Sequence, residues 1–269
     1  MIRVDKKFRQ RRWIAIGVTL LGLGLWGVLK HTYCKQFRCG TQDSSGVSTG
    51  GASKIKNYEL RPSPEVLKAL EERKKHPLKV KNSDFRGLSS APDLGTERLI
   101  LRAIEERDLD DLMKSFSDYD TVYMLAFMPW PFDRNRTLTY MKNLSWNMDH
   151  GNSLYWAITL PEKDSMMGVI GLTLEHEHDR AELHYWLEKE YRNRGYMTEA
   201  AKRIVDYVFK DLNMNRLDVN HLNVNLGSQR VLEKCGFTLE CEKEGFCKKE
   251  GKYENMKFYR ILRREYPRI

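Results

Sequence analysis

Apolar and polar positions change their pattern twice along this chain. Residues 13–29 (WIAIGVTLLGLGLWGVL) run uncharged for 17 positions. Short strand-like and helical runs begin only near residue 97. Between the two regimes, residues 40–53 (GTQDSSGVSTGGAS) have no periodicity and the Gly/Ser/Thr composition of a flexible tether. One short charged helix is expected within the spacer over 64–75, with Val66, Leu67 and Leu70 on one side.

From residue 97 onward the pattern predicts a folded body. A strand is expected at 98–102, then a helix with an acidic start over 108–116 and a second helix over 137–148. The runs 154–160, 166–174 and 181–187 are rich in strand formers, and Pro161-Glu162-Lys163-Asp164 makes a turn between two of them. Residues 197–209 are helical, with Ala200, Ala201, Ile204, Val205 and Val208 as an apolar stripe. A strand at 217–221, a helix over 228–234 ended by Gly236, and strands at 237–241 and 257–262 complete the order. Helices, antiparallel strands and a closing β-α-β-α-β stretch predict an α+β fold with a mixed sheet.

Charge divides the chain in the same place. Residues 1–89 hold nineteen Lys and Arg against seven Asp and Glu, whereas residues 90–269 hold twenty-seven against thirty. The net charge of +9 therefore belongs to the leading segment. A mildly acidic body argues against nucleic acid as a partner. The cysteines, Cys34, Cys39, Cys235, Cys241 and Cys247, contain no CxxC pair and are expected as free thiols, although Cys34 and Cys39 have a spacing open to pairing in an oxidising compartment.

A basic stretch at 1–12 precedes the apolar run, and Trp13 and Trp26 stand near its ends. This pattern is read as a single-pass membrane anchor at 13–29, which would place the protein at a membrane. A cleavable signal peptide and an organelle-targeting segment compete with that reading, though no small-x-small cleavage site follows the run. The organisation expected is thus a basic start at 1–12, the apolar segment at 13–29, a linker and spacer at 30–95, and a folded domain at 96–269.

The chemistry concentrates in Arg192-Asn193-Arg194-Gly195-Tyr196-Met197-Thr198, between a strand and an amphipathic helix. A loop opening a helix presents unpaired N–H groups and the positive end of the dipole. Gly195 allows close approach of an anion, and Arg192 and Arg194 add charge. The residues alone read as a phosphate cradle, or as an ordinary helix start with surface arginines. His176, Glu177, His178 and His184 carry metal-ligand side chains, but the first three fall in a hairpin turn and no metal is expected.

Five motifs in order resemble the GNAT superfamily of N-acetyltransferases, its RimJ/RimL branch in particular. They are Thr96-Glu97-Arg98-Leu99-x-Leu101-Arg102, Trp130-Pro131, Arg180-Ala181-Glu182-Leu183-x-Tyr185-Trp186-Leu187, Tyr191-Arg192-x-x-Gly195-Tyr196-x-Thr198-Glu199-Ala200, and Asn225-x-x-Ser228 with Val231-Leu232-Glu233-Lys234-x-Gly236-Phe237. The resemblance implies a mostly antiparallel sheet with a splayed central strand pair, and acetyl-CoA as co-substrate. It implies that Arg192, Asn193, Arg194, Gly195, Tyr196, Met197 and Thr198 hold the pyrophosphate. Met197 stands where Gly or Ala is commoner, and Asn193 where Gly is frequent.

By the same resemblance, Leu187 lies beside the pantetheine and thioester, Asn225 holds the pantetheine arm, and Ser228 protonates the departing thiolate. Helix capping is the plainer role for Asn225 and Ser228. Glu182 occupies the family's acidic position and is nominated as general base, with His184 on the same strand face as the alternative. Tyr123, Phe127, Trp130 and Phe132 are candidates for lining the acceptor cleft. The acceptor is expected to be a primary amine, with a protein or peptide N-terminus favoured over a polyamine or aminoglycoside. A non-catalytic acyl-CoA sensor is the remaining reading.

Overall fold

Strand-forming runs that are apolar at nearly every position need a sheet with both faces covered, and β-strands buried on both faces are what the centre of the chain adopts. The structure, a computed structural model, describes residues 61–76 and 83–266. Helix α1 (Pro64–Lys75) begins where the Ser63 side chain accepts the Val66 N–H and Pro64 takes the first helical position. Its Val66 is fully buried, and Arg73 bonds Asp93 at 2.8 Å and Glu105 at 3.3 Å. A 3-10 turn at Ser83–Ser90 leads into strands β1 (Leu94–Gly95) and β2 (Ile100–Ala103).

Helices α2 (Leu109–Phe116), α3 (Tyr119–Met124) and α4 (Arg134–Asp149) follow, then strands β3 (Ser153–Leu160), β4 (Lys163–Glu175) and β5 (Arg180–Leu187). Helix α5 (Tyr196–Lys210), strand β6 (Arg216–Leu222), helix α6 (Leu226–Lys234) and the hairpin β7 (Thr238–Lys249) and β8 (Lys252–Leu262) complete the chain. The eight strands lie in the order β1-β2-β3-β4-β5-β6-β8-β7. All neighbours are antiparallel except β5 and β6. Ala200, Ala201, Ile204, Val205 and Val208 of α5 are buried, as their stripe predicts. Leu112, Phe116, Met141 and Leu144 of α2 and α4 are buried in the same core.

Three differences from the sequence expectations have physical causes. Helix α3 is six residues long, too short to show a period, and is started by Asp118 accepting the Thr121 N–H. The last two strands are much longer than 237–241 and 257–262, because a charged two-stranded ribbon has no alternation to read. The third concerns the membrane. The expected anchor at 13–29 lies outside the described residues, and no helix among the described residues is long and apolar enough to cross a membrane. The membrane placement is withdrawn.

Candidate active site

The site is made by a strand pair that separates. Strand β5 follows β4 along its whole length, from Glu175↔Arg180 to Gly168↔Leu187. It meets β6 only at Arg180↔Arg216, Ala181↔Leu217 and Glu182↔Asp218. Beyond Glu182, β6 stays with β8 as far as Leu222↔Met256 while β5 stays with β4. Residues 183–187 and 219–222 therefore diverge, and alternate backbone groups along each strand face a gap with no ladder across it. Gly168 helps hold β5 on the β4 side: a Cβ there would lie 2.4 Å from the Trp186 carbonyl oxygen and 2.9 Å from Leu187 Cα.

At the open end of the gap, Arg192–Thr198 turns into α5. Asn193 and Gly195 both take left-handed backbone, with φ of 62° and 81°. Asn is among the non-glycine residues that tolerate this region best, which accounts for its presence where Gly is frequent. Gly195 is the N-cap and contributes no capping side chain, so the N–H groups of Tyr196, Met197 and Thr198 have no carbonyl one turn back. Glu199 in this first turn is almost fully buried. Its carboxylate accepts from the Thr96 hydroxyl at 2.6 Å, the Arg98 N–H at 2.8 Å and the Arg98 guanidinium at 2.7 Å.

Arg98 also donates to the Arg194 carbonyl at 3.2 Å and lies 4.7 Å from the Tyr196 ring centre. Thr96 and Arg98 of the opening motif are thus built into the cradle that the loop motif forms. Arg192 departs from a direct grip on an anion. Its guanidinium donates to the Leu187 carbonyl at 2.9 Å and the Thr121 hydroxyl at 2.7 Å, tying the loop to the end of β5 and to α3. Met197 is buried, and its backbone N–H remains in the first turn.

Two sets of side chains flank the gap on opposite faces of the sheet. On the face covered by α5 and α6, the Tyr185 hydroxyl is 2.7 Å from the Ser228 hydroxyl. Burial pushes the Tyr185 phenol above its ordinary value, so it stays protonated. The capping role falls to Asn225, whose side chain accepts the Ser228 N–H at 3.0 Å, leaving the Ser228 hydroxyl to Tyr185. Sequence reasoning placed Tyr185 in a motif without a role, because its partner is 43 residues away.

On the other face stand Glu182 and His184, two residues apart on β5. Asn220 donates to Glu182 Oε1 at 2.5 Å, and Asp218 faces Glu182 in register. Burial raises the Asp218 carboxyl above its ordinary value, against the pull of Arg216 and Arg180. His184 Nε2 is 2.9 Å from the Thr173 hydroxyl, and its ring stacks on Tyr155 at 6.5 Å. Of the proposed cleft aromatics, Phe132 packs instead against Phe116 and Tyr140 in the main core. Tyr123 and Phe127 join a second apolar cluster with Leu222, Cys247, Met256, Phe246 and Phe258. Trp130 is partly exposed against Tyr119.

Comparison with known proteins agrees with this geometry. The profile described as "Acetyltransferase (GNAT) domain" matches residues 98–238, over half of the chain. An uncharacterized N-acetyltransferase, p20, of Bacillus licheniformis is 28% identical over 174 residues, covering 64% of this chain and 97% of that protein. The [ribosomal protein uS5]-alanine N-acetyltransferase of Escherichia coli is 23% identical over 164 residues, 58% of this chain and 80% of its own. Among solved structures, the ribosomal L7/L12 alpha-N-protein acetyltransferase RimL bound to coenzyme A superposes with a TM-score of 0.57 at 18% identity, covering 62% of this chain and 95% of that one. The spermidine N-acetyltransferase of Vibrio cholerae with coenzyme A and spermine gives 0.56 at 20%, covering 63% and 98%.

Proposed function

Because the chain belongs to the GNAT acetyltransferase family and is an acyltransferase, we propose that it moves the acetyl group of acetyl-CoA to a primary amine, with a protein or peptide N-terminal α-amine as the favoured acceptor. The observation that carries this reading is the placement of a carboxylate on one face of the strand gap and a hydroxyl pair on the other. In this proposal the pyrophosphate rests on the N–H groups of 193–198 and the start of α5, and the pantetheine fills the gap where strand amides are free. Leu187 and Asn225 border that path, and a β5 N–H stabilises the charge that develops on the thioester oxygen.

Glu182 accepts the proton from the amine, directly or through water, as the N–C bond forms. The C–S bond breaks on the other face, and the Ser228 hydroxyl, backed by Tyr185, gives a proton to the sulfur. The products are the N-acetylated amine and coenzyme A; Glu182 then releases its proton to solvent and Ser228 regains one from solvent, which restores the site. An α-amine with a pKa of about 7.7–8.0 asks less of such a base than a lysine at about 10.4, which supports an N-terminal acceptor. His184 is the alternative base.

The test is an acceptor screen with full-length protein, acetyl-CoA, alanine- and serine-initiated peptides, spermidine and an aminoglycoside, read by mass spectrometry for the site of acetylation. Acetylated peptide α-amines are expected. Acetylation of spermidine or the aminoglycoside alone would move the acceptor to small amines. Coenzyme binding without turnover on any member would replace the enzyme reading with a sensor.

A further inference from the structure

The hairpin tip reads in the sequence as a charged, solvated turn, Lys248-Lys249-Glu250-Gly251-Lys252. In the structure Lys249 is only 4% exposed. Its ammonium donates to three backbone carbonyls, Val122 and Leu125 at 2.6 Å and Met128 at 3.2 Å. Val122 lies near the end of α3, and the other two carbonyls lie in the turn that follows it. Three ammonium hydrogens thus meet three carbonyls at the negative end of a short helix. Burial pulls the Lys249 amine down to about 8, against the opposing effect of the nearby Cys247 and Glu250.

Two further links run in parallel. Tyr119 donates to Glu250 and Tyr123 to Glu254, each at 2.7 Å. Glu250 has left-handed backbone, φ 49°, and Gly251 follows at 84°, so the tip is a tight two-residue turn set against α3. Beneath these links is the second apolar cluster, which includes Leu222 and Phe258. Phe258 is the register partner of Asn220, and Asn220 holds Glu182. A continuous row of contacts therefore joins the Lys249 bonds to the nominated base. Between α3 and the hairpin tip is a cavity of about 200 Å³ lined by Tyr119, Asp120, Tyr123, Met124, Lys249, Glu250 and Lys252.

We propose that Lys249 is a positioning residue for the acceptor: by binding the carbonyls of Val122, Leu125 and Met128 it fixes α3 against the β7–β8 hairpin and so sets the wall of the amine cleft. It touches neither acetyl-CoA nor the reacting atoms. The proposal rests on the amine-acetylation reading, and its test separates the two.

Lys249→Met keeps the apolar stem and removes the three donors. Steady-state kinetics use an alanine-initiated peptide and spermidine, and hydrogen exchange is followed in the same full-length proteins. With whichever amine the wild type acetylates, Lys249→Met should raise the amine KM by about tenfold, while the acetyl-CoA KM stays within about twofold, as expected for loss of hydrogen bonds to a buried charge. Amides of 119–128 and 245–253 should exchange about tenfold faster, with α5 unchanged. If Lys249→Met does not fold, the Tyr119→Phe and Tyr123→Phe double variant breaks the parallel links and should move the same two readouts in the same direction. An unaltered amine KM with normal turnover overturns the proposal and leaves the acetyltransferase reading intact. Wild type inactive on both amines counts against that reading instead, and unaltered exchange at 119–128 then overturns the clamp by itself.

Discussion

At the scale of single residues, the loop at Arg192–Thr198 is incomplete without Thr96 and Arg98. The sequence shows Thr96-x-Arg98 and Glu199 as parts of two motifs about a hundred positions apart. Nothing in spacing reveals that one buried carboxylate joins them. Glu199→Gln should keep the helix but lose the charge that holds Arg98 against the loop. We expect the acetyl-CoA KM to rise about tenfold with kcat little changed, the loss of a charge-assisted contact; an unchanged KM would show that the cradle stands without it. Tyr185→Phe probes the other face of the gap. It keeps the ring and leaves Ser228 without its partner, so kcat should fall about 10- to 100-fold while coenzyme affinity measured by calorimetry holds. If Tyr185→Phe turns over normally, Ser228 acts without it. Glu182→Gln should slow turnover most at low pH, where the amine is protonated and needs a base; a uniform loss across pH would remove Glu182 from that role.

At the scale of elements, legibility followed length and periodicity. The stripe of α5 was readable because it buries one side of a regular repeat, and β3 to β5 were readable as runs of strand formers bounded by turns, although β3 and β4 are buried on both faces. Helix α1 was readable from its Pro64 start and its apolar side, although its packing through Arg73 was not. Helix α3 was invisible because six residues carry less than two turns of pattern, and its stability is supplied by Asp118, Lys249 and the hairpin. The strand gap itself has no sequence signature apart from the family resemblance. It results from β5 and β6 each following a different neighbour, with Gly168 allowing the close approach of β5. Gly168→Val places a side chain against the Trp186 carbonyl and Leu187 Cα. Overpacking of this kind should cost roughly 1–3 kcal/mol in urea unfolding. It should also shift β5 toward β6, so coenzyme affinity falls by more than the stability loss explains. A variant destabilised with normal affinity would mean that the gap is set elsewhere.

At the scale of the whole molecule, one buried cation holds the entry to the domain together. Arg102 of β2 has no exposed side chain and bonds both oxygens of Asp108, each at 2.7 Å, together with Asp164 at 2.7 Å. Asp164 lies in β4 just after the turn from β3, and Arg107 and Arg73 of α1 also approach it. The knot therefore joins the spacer helix, the start of α2 and the sheet. Removing one partner of a buried pair leaves the others charged and dry, so Arg102→Met should cost about 3–5 kcal/mol in urea unfolding at neutral pH. Burial alone would raise the Asp164 carboxyl, but Arg102 and Arg107 outweigh it and hold it below its ordinary value. A carboxyl depressed in the folded chain contributes stability above its unfolded pKa of about 3.9, and that contribution is lost as pH falls through the lower folded value. The wild type should accordingly lose stability as pH drops below about 4, and Asp164→Asn should remove that part of the acid slope. Unfolding midpoints measured from neutral pH down to acid check both statements. An acid slope unaltered by Asp164→Asn would assign the loss to other carboxylates, and an Arg102→Met chain as stable as wild type would mean that apolar packing replaces the knot without loss.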